Sequence, residues 1–330
     1  MKSYTDHAVT LFSAFKSALR LDHKVTGPPK LPQELERRIF ETCALENPEV
    51  CTVLMLVARR VHVWLDPILI STVCITQNFE SKRRDQLERF LVKLANGKPV
   101  EYYAQHIKNL AILGGFFEKE VINRILGTCT GVENLVVLAP ARGVDFFENP
   151  QAGRDLRRLT IKLENFSSWP FPNFNHSCFS NLTHLHLSDD NEDWPAYIGW
   201  GNLTSLTHLA FSCAGPDETL PLVQRLPAIQ YVALGHYCGG ERYKYAETEV
   251  NNEPRIRAAW GVRIVFLSEI PWHDWERGAR GGGDFWDVVE QEMHPLEGQR
   301  RSNKNDRAGQ LFREVLRRRL LCSIRPCIRL

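Results

Sequence analysis

The chain has 330 residues, 43% of them hydrophobic and 24% charged, with a formal net charge of +2. That hydrophobic share supports a sizeable core and excludes a disordered chain. The small net charge hides a division: residues 298–330 hold ten Lys/Arg against two acidic residues, which gives +8 there and leaves −6 for the rest, so the body disfavours nucleic acid as a partner.

The nine cysteines are scattered, odd in number and without a CxxC pair. That is the usage of buried thiols in the cytoplasm or nucleus, not of a disulfide or zinc framework. The N-terminus is no secretory signal, because Asp6, His7, Lys16 and Arg20 interrupt its apolar residues. No run approaches the roughly 20 apolar residues that a membrane span requires. The N-x-Ser/Thr sequences at Asn165, Asn175, Asn181 and Asn202 then read as polar turn residues rather than glycan sites.

Residues 1–30 form a leader with one amphipathic helix, Val9, Phe12, Phe15 and Leu19 sharing a face. Gly27-Pro28-Pro29 ends it. Residues 31–69 read as a small helical bundle. Pro32 suits a first helical position. Leu35, Ile39 and Cys43 recur four apart along one stripe. Asn47-Pro48 breaks that helix. A second periodic run follows with Val50, Leu54, Val57 and Val61, then Trp64 and Leu65, and Pro67 ends or kinks it.

From residue 70 to 296 the period changes. An apolar-x-x-apolar-x-apolar frame returns at Ile70/Val73/Ile75, Ile107/Leu110/Ile112, Val132/Leu135/Val137 and Leu156/Leu159/Ile161. It continues at Leu182/Leu185/Leu187, Leu206/Leu209/Phe211, Ile229/Val232/Leu234 and Val262/Val265/Leu267. The starts from Ile107 to Ile229 lie 25, 24, 26, 24 and 23 residues apart. Such a frame at 20–29 residue spacing is the signature of leucine-rich repeats, in which each repeat supplies one short strand and buries its apolar face only against its neighbours. The Asn or Cys that usually follows the frame is mostly missing, so the expected fold is α/β, an irregular leucine-rich-repeat-like solenoid. Phe90–Leu94 and Val121–Leu126 read as helical returns, Ser167–Pro172 as extended loop, and His236–Pro254 as a surface insertion. Trp272, Trp275, Phe285 and Trp286 are expected to cap the open end of the last repeat.

Two segments carry a family resemblance. LPQELERRIF followed by LVARRVHVWLDPIL, in residues 31–69, resembles the F-box of fungal F-box-like proteins. The closing WERGARGGGDFW (Trp275–Trp286) resembles the endings of such chains. The resemblance covers about Leu31 to Glu290. It implies a substrate-receptor subunit of an SCF-type ubiquitin ligase, docking on a Skp-type adaptor and its cullin ligase and holding an unknown protein target. Leu31, Pro32, Leu35, Ile39, Phe40 and Leu56 then supply adaptor contacts or the core of the module. The alternative is a repeat-based interaction scaffold without ligase function.

Strand residues between the apolar frame positions face away from the core. Arg158, Thr160, Lys162, His184, His186, His208 and Tyr231 therefore form the expected target face, which is basic and suits an acidic or phosphorylated segment. His184, His186 and His208 raise the thought of a metal pair, but no third ligand stands at a usual spacing. They read as polar surface residues, and no metal or other cofactor is expected. Catalysis is not expected either: Gly278–Gly283 lacks the following Gly-Lys-Ser/Thr of a phosphate loop, and HExxH and GxSxG are absent.

Residues 297–330 form a basic tail. Leu311, Phe312, Val315, Leu316 and Leu320 can share a helical face, with Arg313 and Arg317–Arg319 around the rest. A membrane-surface helix, a nuclear-import or nucleic-acid patch, and an accessory extension all fit. The extension is preferred.

Overall fold

Pro32, with φ −54° and ψ 142°, turns the chain into the first helix, α1 (Gln33–Glu46). Its missing N–H costs nothing there, and Glu34 and Glu36 in the first turn suit the positive end of the helix dipole. The computed structural model describes residues 31–76, 84–115, 117–149, 152–167, 173–188, 197–212, 216–235, 262–267 and 274–293. The leader helix, the Trp169-Pro170-Phe171 loop, the His236–Pro254 insertion, Trp272 and the basic tail lie outside the described residues.

The second apolar run divides in two. α2 (Cys51–Leu54) is a single turn, Ala58 is extended at φ −159°, and α3 (Arg59–Ile70) restarts beyond it. Periodicity alone cannot separate one helix from two that keep phase. Pro67 sits inside α3 rather than ending it. The carbonyl its absent N–H leaves free belongs to Val63, which is exposed. Ala44, Cys51, Met55, Val61, Trp64 and Leu65 form the core of this helical module, with Phe40 packed against it. Arg60 donates to both carboxylate oxygens of Glu36, at 2.6 and 3.1 Å, and ties α3 to α1.

Eight parallel strands follow in one sheet, in the order of the chain: β1 (Thr72–Thr76), β2 (Asn109–Leu113), β3 (Asn134–Val137), β4 (Arg158–Ile161), β5 (His184–Leu187), β6 (His208–Phe211), β7 (Tyr231–Gly235) and β8 (Arg263–Leu267). From β2 to β7 the apolar frame sets the register. Leu110, Leu135, Leu159, Leu185, Leu209 and Val232 are successive partners, and so are Ile112, Val137, Ile161, Leu187, Phe211 and Leu234. All twelve are buried in one continuous core. β8 breaks the expectation. Val232 pairs with Ile264 and Leu234 with Phe266, so the frame there is shifted by one residue. Ile264 enters the core, while Val265 and Leu267 face the other side. A one-residue slip exchanges the faces of a strand, and the apolar run Ile264–Leu267 offers no alternation to fix the phase.

Helices α4 (Arg84–Asn96), α5 (Val100–His106) and α6 (Lys119–Thr128) back the first strands. Further along, single 3₁₀ turns at Asp145–Glu148, Leu163–Asn165, Ser177–Phe179 and Trp200–Asn202 replace them. Four residues of 3₁₀ cannot fill the depth of a helix, and aromatic rings do so instead. Phe147 stacks on Phe166 at 5.1 Å and on Phe179 at 5.7 Å, and Phe174 meets Trp200 at 4.6 Å. Asn165 is fully buried. It accepts from Ala141 N at 2.8 Å and donates to Val137 O at 3.0 Å, so it satisfies internal backbone instead of decorating a surface turn. α7 (Pro216–Val223) precedes β7.

The last described segment corrects the expectation of an end cap. α8 (Trp275–Ala279) and α9 (Phe285–Met293) lie over the open face of the sheet, and α8 reaches back to its first strands. Trp275 packs with Ala111, Leu113 and Val136, and its Nε1 donates to Asn134 Oδ1 at 3.0 Å. Asn109 Nδ2 donates to Ala279 O at 3.2 Å. Phe285, Trp286 and Val289 pack with Ala210, Tyr231, Ala233 and Val265. The glycine run turns the chain between the two helices. Gly281 has φ +87°, and a Cβ on Gly278 would lie 2.5 Å from that of Asp284.

Candidate functional site

Two surfaces bear on function. The first is the outside of the helical module. Leu31, Leu35 and Ile39 follow one another at helical spacing and are 48, 50 and 51% exposed. Leu56, in the turn after α2, is 85% exposed, and Val53 and Val57 beside it are also exposed. Pro32 is exposed too. Phe40 is placed differently, because it packs inward on the module core. The apolar stripe read from the sequence thus faces solvent, and the module closes its core with other residues. Val53 and Val57 extend the set. Val57 was legible as a member of the second periodic run, but its outward direction was not.

The second surface is the strand face beneath α8 and α9. Parallel register carries Arg158, His184, His208 and Tyr231 across four strands as one row. His184 stacks on His208 at 4.1 Å, and His208 on Tyr231 at 4.6 Å. Trp286 stands edge-on to both imidazoles, at 5.1 and 5.6 Å. Arg158 Nη1 forms a 2.9 Å ion pair with Asp284, whose side chain is only 8% exposed. Burial pushes the Asp284 carboxyl up, against the opposing pull of Arg158. Thr160 and Lys162 are half-buried, and His186, His208 and Tyr231 are buried.

This face is therefore neither open nor basic. Burial, then His208 and Arg158, lower His184 to about 2. Burial lowers His186 to about 3. Burial and then Arg158 lower His208 to about 4. All three imidazoles are neutral at physiological pH, and the guanidinium of Arg158 is engaged by Asp284. The sequence signal that was missed is the composition of the face itself. Ala111, Leu113, Val136, Ala210, Ala233 and Val265 are apolar at positions away from the core, as in parallel sheets covered on both sides.

His186 Nε2 lies 2.9 Å from Ser212 Oγ, but no described carboxylate hydrogen-bonds to His186. The adjoining cavity between Trp275 and Phe285 measures about 20 Å³, room for about one water. The buried thiols Cys129 and Cys178 are both pushed up to about 12 by burial, which makes them poor nucleophiles. No helix among the described residues is long and apolar enough to cross a membrane. The chain matches no protein-family model and no curated protein sequence.

Proposed function

We propose that the chain is a non-catalytic substrate-receptor subunit of an SCF-type ubiquitin ligase, an F-box-like module followed by a leucine-rich-repeat-like solenoid. The observation that supports this is the bare apolar surface of the helical module. Leu31, Leu35, Ile39 and Leu56 are 48 to 85% exposed although the module has a closed core of its own. Burying such side chains contributes roughly 1.5–3 kcal/mol each, part of which is consumed by the cost of association. A Skp-type adaptor is the partner that the F-box resemblance implies for that surface. A protein target would then meet the outer side of α8 and α9 and the half-buried Thr160 and Lys162, rather than the row beneath Trp286.

The test is co-purification of the full chain with a Skp-type adaptor. Ile39→Asp and Leu56→Asp are the variants of choice, because both positions are exposed and tolerate charge without unfolding the module. Phe40→Asp is a poorer choice, since it would place a carboxylate against the module core. Both variants should lose the adaptor while keeping the circular dichroism of the parent. Adaptor capture that survives both substitutions, or that the parent never shows, would leave the scaffold reading in its place.

A further inference from the structure

The stacked histidines have a hydrogen-bonding peculiarity. Thr183 Oγ1 donates its proton to Arg157 O at 3.0 Å, and Thr207 Oγ1 donates its own to Thr183 O at 3.2 Å. A hydroxyl has one proton. With the hydroxyl protons so placed, the 2.8 Å contacts of these oxygens with His184 Nδ1 and His208 Nδ1 are donated by the rings. Arg157 O and Thr183 O each also accept two backbone N–H groups, so the hydroxyl proton can instead turn to the ring. In the first arrangement both imidazoles are Nδ1–H tautomers with a lone pair on Nε2, the form in which they can hold a cation. Both Nε2 atoms are buried and have no hydrogen-bond partner among the described residues. His208 as a whole is only 7% exposed.

The third group comes from α9. Glu290 Oε1 lies 3.2 Å from His208 Nε2, close but without hydrogen-bond alignment. A lone pair and a carboxylate oxygen at that distance repel unless a proton or a cation lies between them. A proton would join His208 to Glu290 and still leave His184 Nε2 without a partner. A divalent metal would satisfy all three, and the three ligand atoms lie within 4.8 Å of one another.

We propose that His184, His208 and Glu290 form a binding site for a zinc-class divalent ion that fastens α9 to β5 and β6. Two imidazole nitrogens and one carboxylate are a donor set for zinc, with a fourth position left to solvent. The threonines act as positioning residues: each fixes the ring tautomer, as outer hydrogen-bond partners of metal-bound histidines do. Donors around zinc sit about 3.4 Å apart, so the rings must tilt from their parallel stack and Glu290, half-exposed, must close on them. Arg158 opposes a nearby cation, but its charge is already paired with Asp284. This inference does not rest on the adaptor-binding reading.

The experiment uses the full chain, stripped with chelator and titrated with Co²⁺ as a spectroscopic probe and Zn²⁺ as competitor. One equivalent of Co²⁺ should give ligand-field absorption in the visible range, and Zn²⁺ should abolish it and raise Tm. His208→Ala and Glu290→Gln should each weaken binding at least tenfold. Glu290→Gln, at a half-exposed position, keeps the apo fold and its Tm. Thr207→Val should weaken binding about tenfold, and Thr207→Ser should restore it. Histidine ring NMR should show both Nδ1–H tautomers in the apo protein and zinc-dependent shifts of His184 and His208. The site is overturned if Co²⁺ gives no such absorption. It is equally overturned if Glu290→Gln and His208→Ala bind as tightly as the parent.

Discussion

The molecule carries two apolar surfaces that its main cores do not need, and it treats them oppositely. On the sheet, Ala210, Tyr231, Ala233 and Val265 are roofed by Phe285, Trp286 and Val289. On the helical module, Leu31, Leu35, Ile39 and Leu56 are left bare. The difference is one of supply. The strand face receives a segment of the same chain whose glycine turn lets it lie flat, whereas the stripe of Leu31, Leu35, Ile39 and Leu56 stays exposed. An apolar face covered in the monomer belongs to stability, and one left open among polar neighbours is available to a partner. The covered face is also no hinged lid. Lifting three buried side chains would cost roughly 1.5–3 kcal/mol each, a large share of the 5–15 kcal/mol that holds a typical domain folded.

Trp286→Ala is the strongest way to break that comparison. Trp286 is 5% exposed and touches Phe285 and both stacked histidines. Its truncation should destabilise the protein by about 3–5 kcal/mol, measured by urea unfolding. A loss below about 1 kcal/mol would mean that the cover is loosely laid. Arg158→Ala should cost less, about 1 kcal/mol. It strips Asp284 of its ion-pair partner, but Arg158 is itself 39% exposed and partly screened. The same urea assay, with Asp284→Asn as the companion variant, resolves whether the pair acts as a unit. Leu56→Asp marks the other pole. At an 85% exposed position it should change stability by no more than about 0.5 kcal/mol, while removing the adaptor. A large loss of stability there would show that the module surface is structural after all.

Parallel strands at seven of the eight frames were legible in the sequence in both position and register, because each needs only its own alternation and a neighbour of the same phase. Helical returns around Phe90 and Ile122 were legible for the same reason. So was the juxtaposition of His184 and His208, which follows from repeat spacing alone. The direction of the α1 stripe was not. Leu35 and Ile39 show where one helical face lies, but whether that face meets a core depends on what the second and third helices bury.

The sequence by itself determined the repeat period, the strands and the apolar content of both surfaces, since these depend on residues near one another in the chain. Tertiary structure decided the rest. It slipped β8 by one residue, because a continuously apolar strand takes its phase from the neighbour it pairs with. It laid Trp275 on Asn134 and Asp284 on Arg158, contacts separated by 141 and 126 residues, and so closed a face that local pattern left open. It also brought Glu290 to His208. No local pattern encodes contacts that long: they form when the apolar strand face and the apolar residues of α8 and α9 remove each other from water.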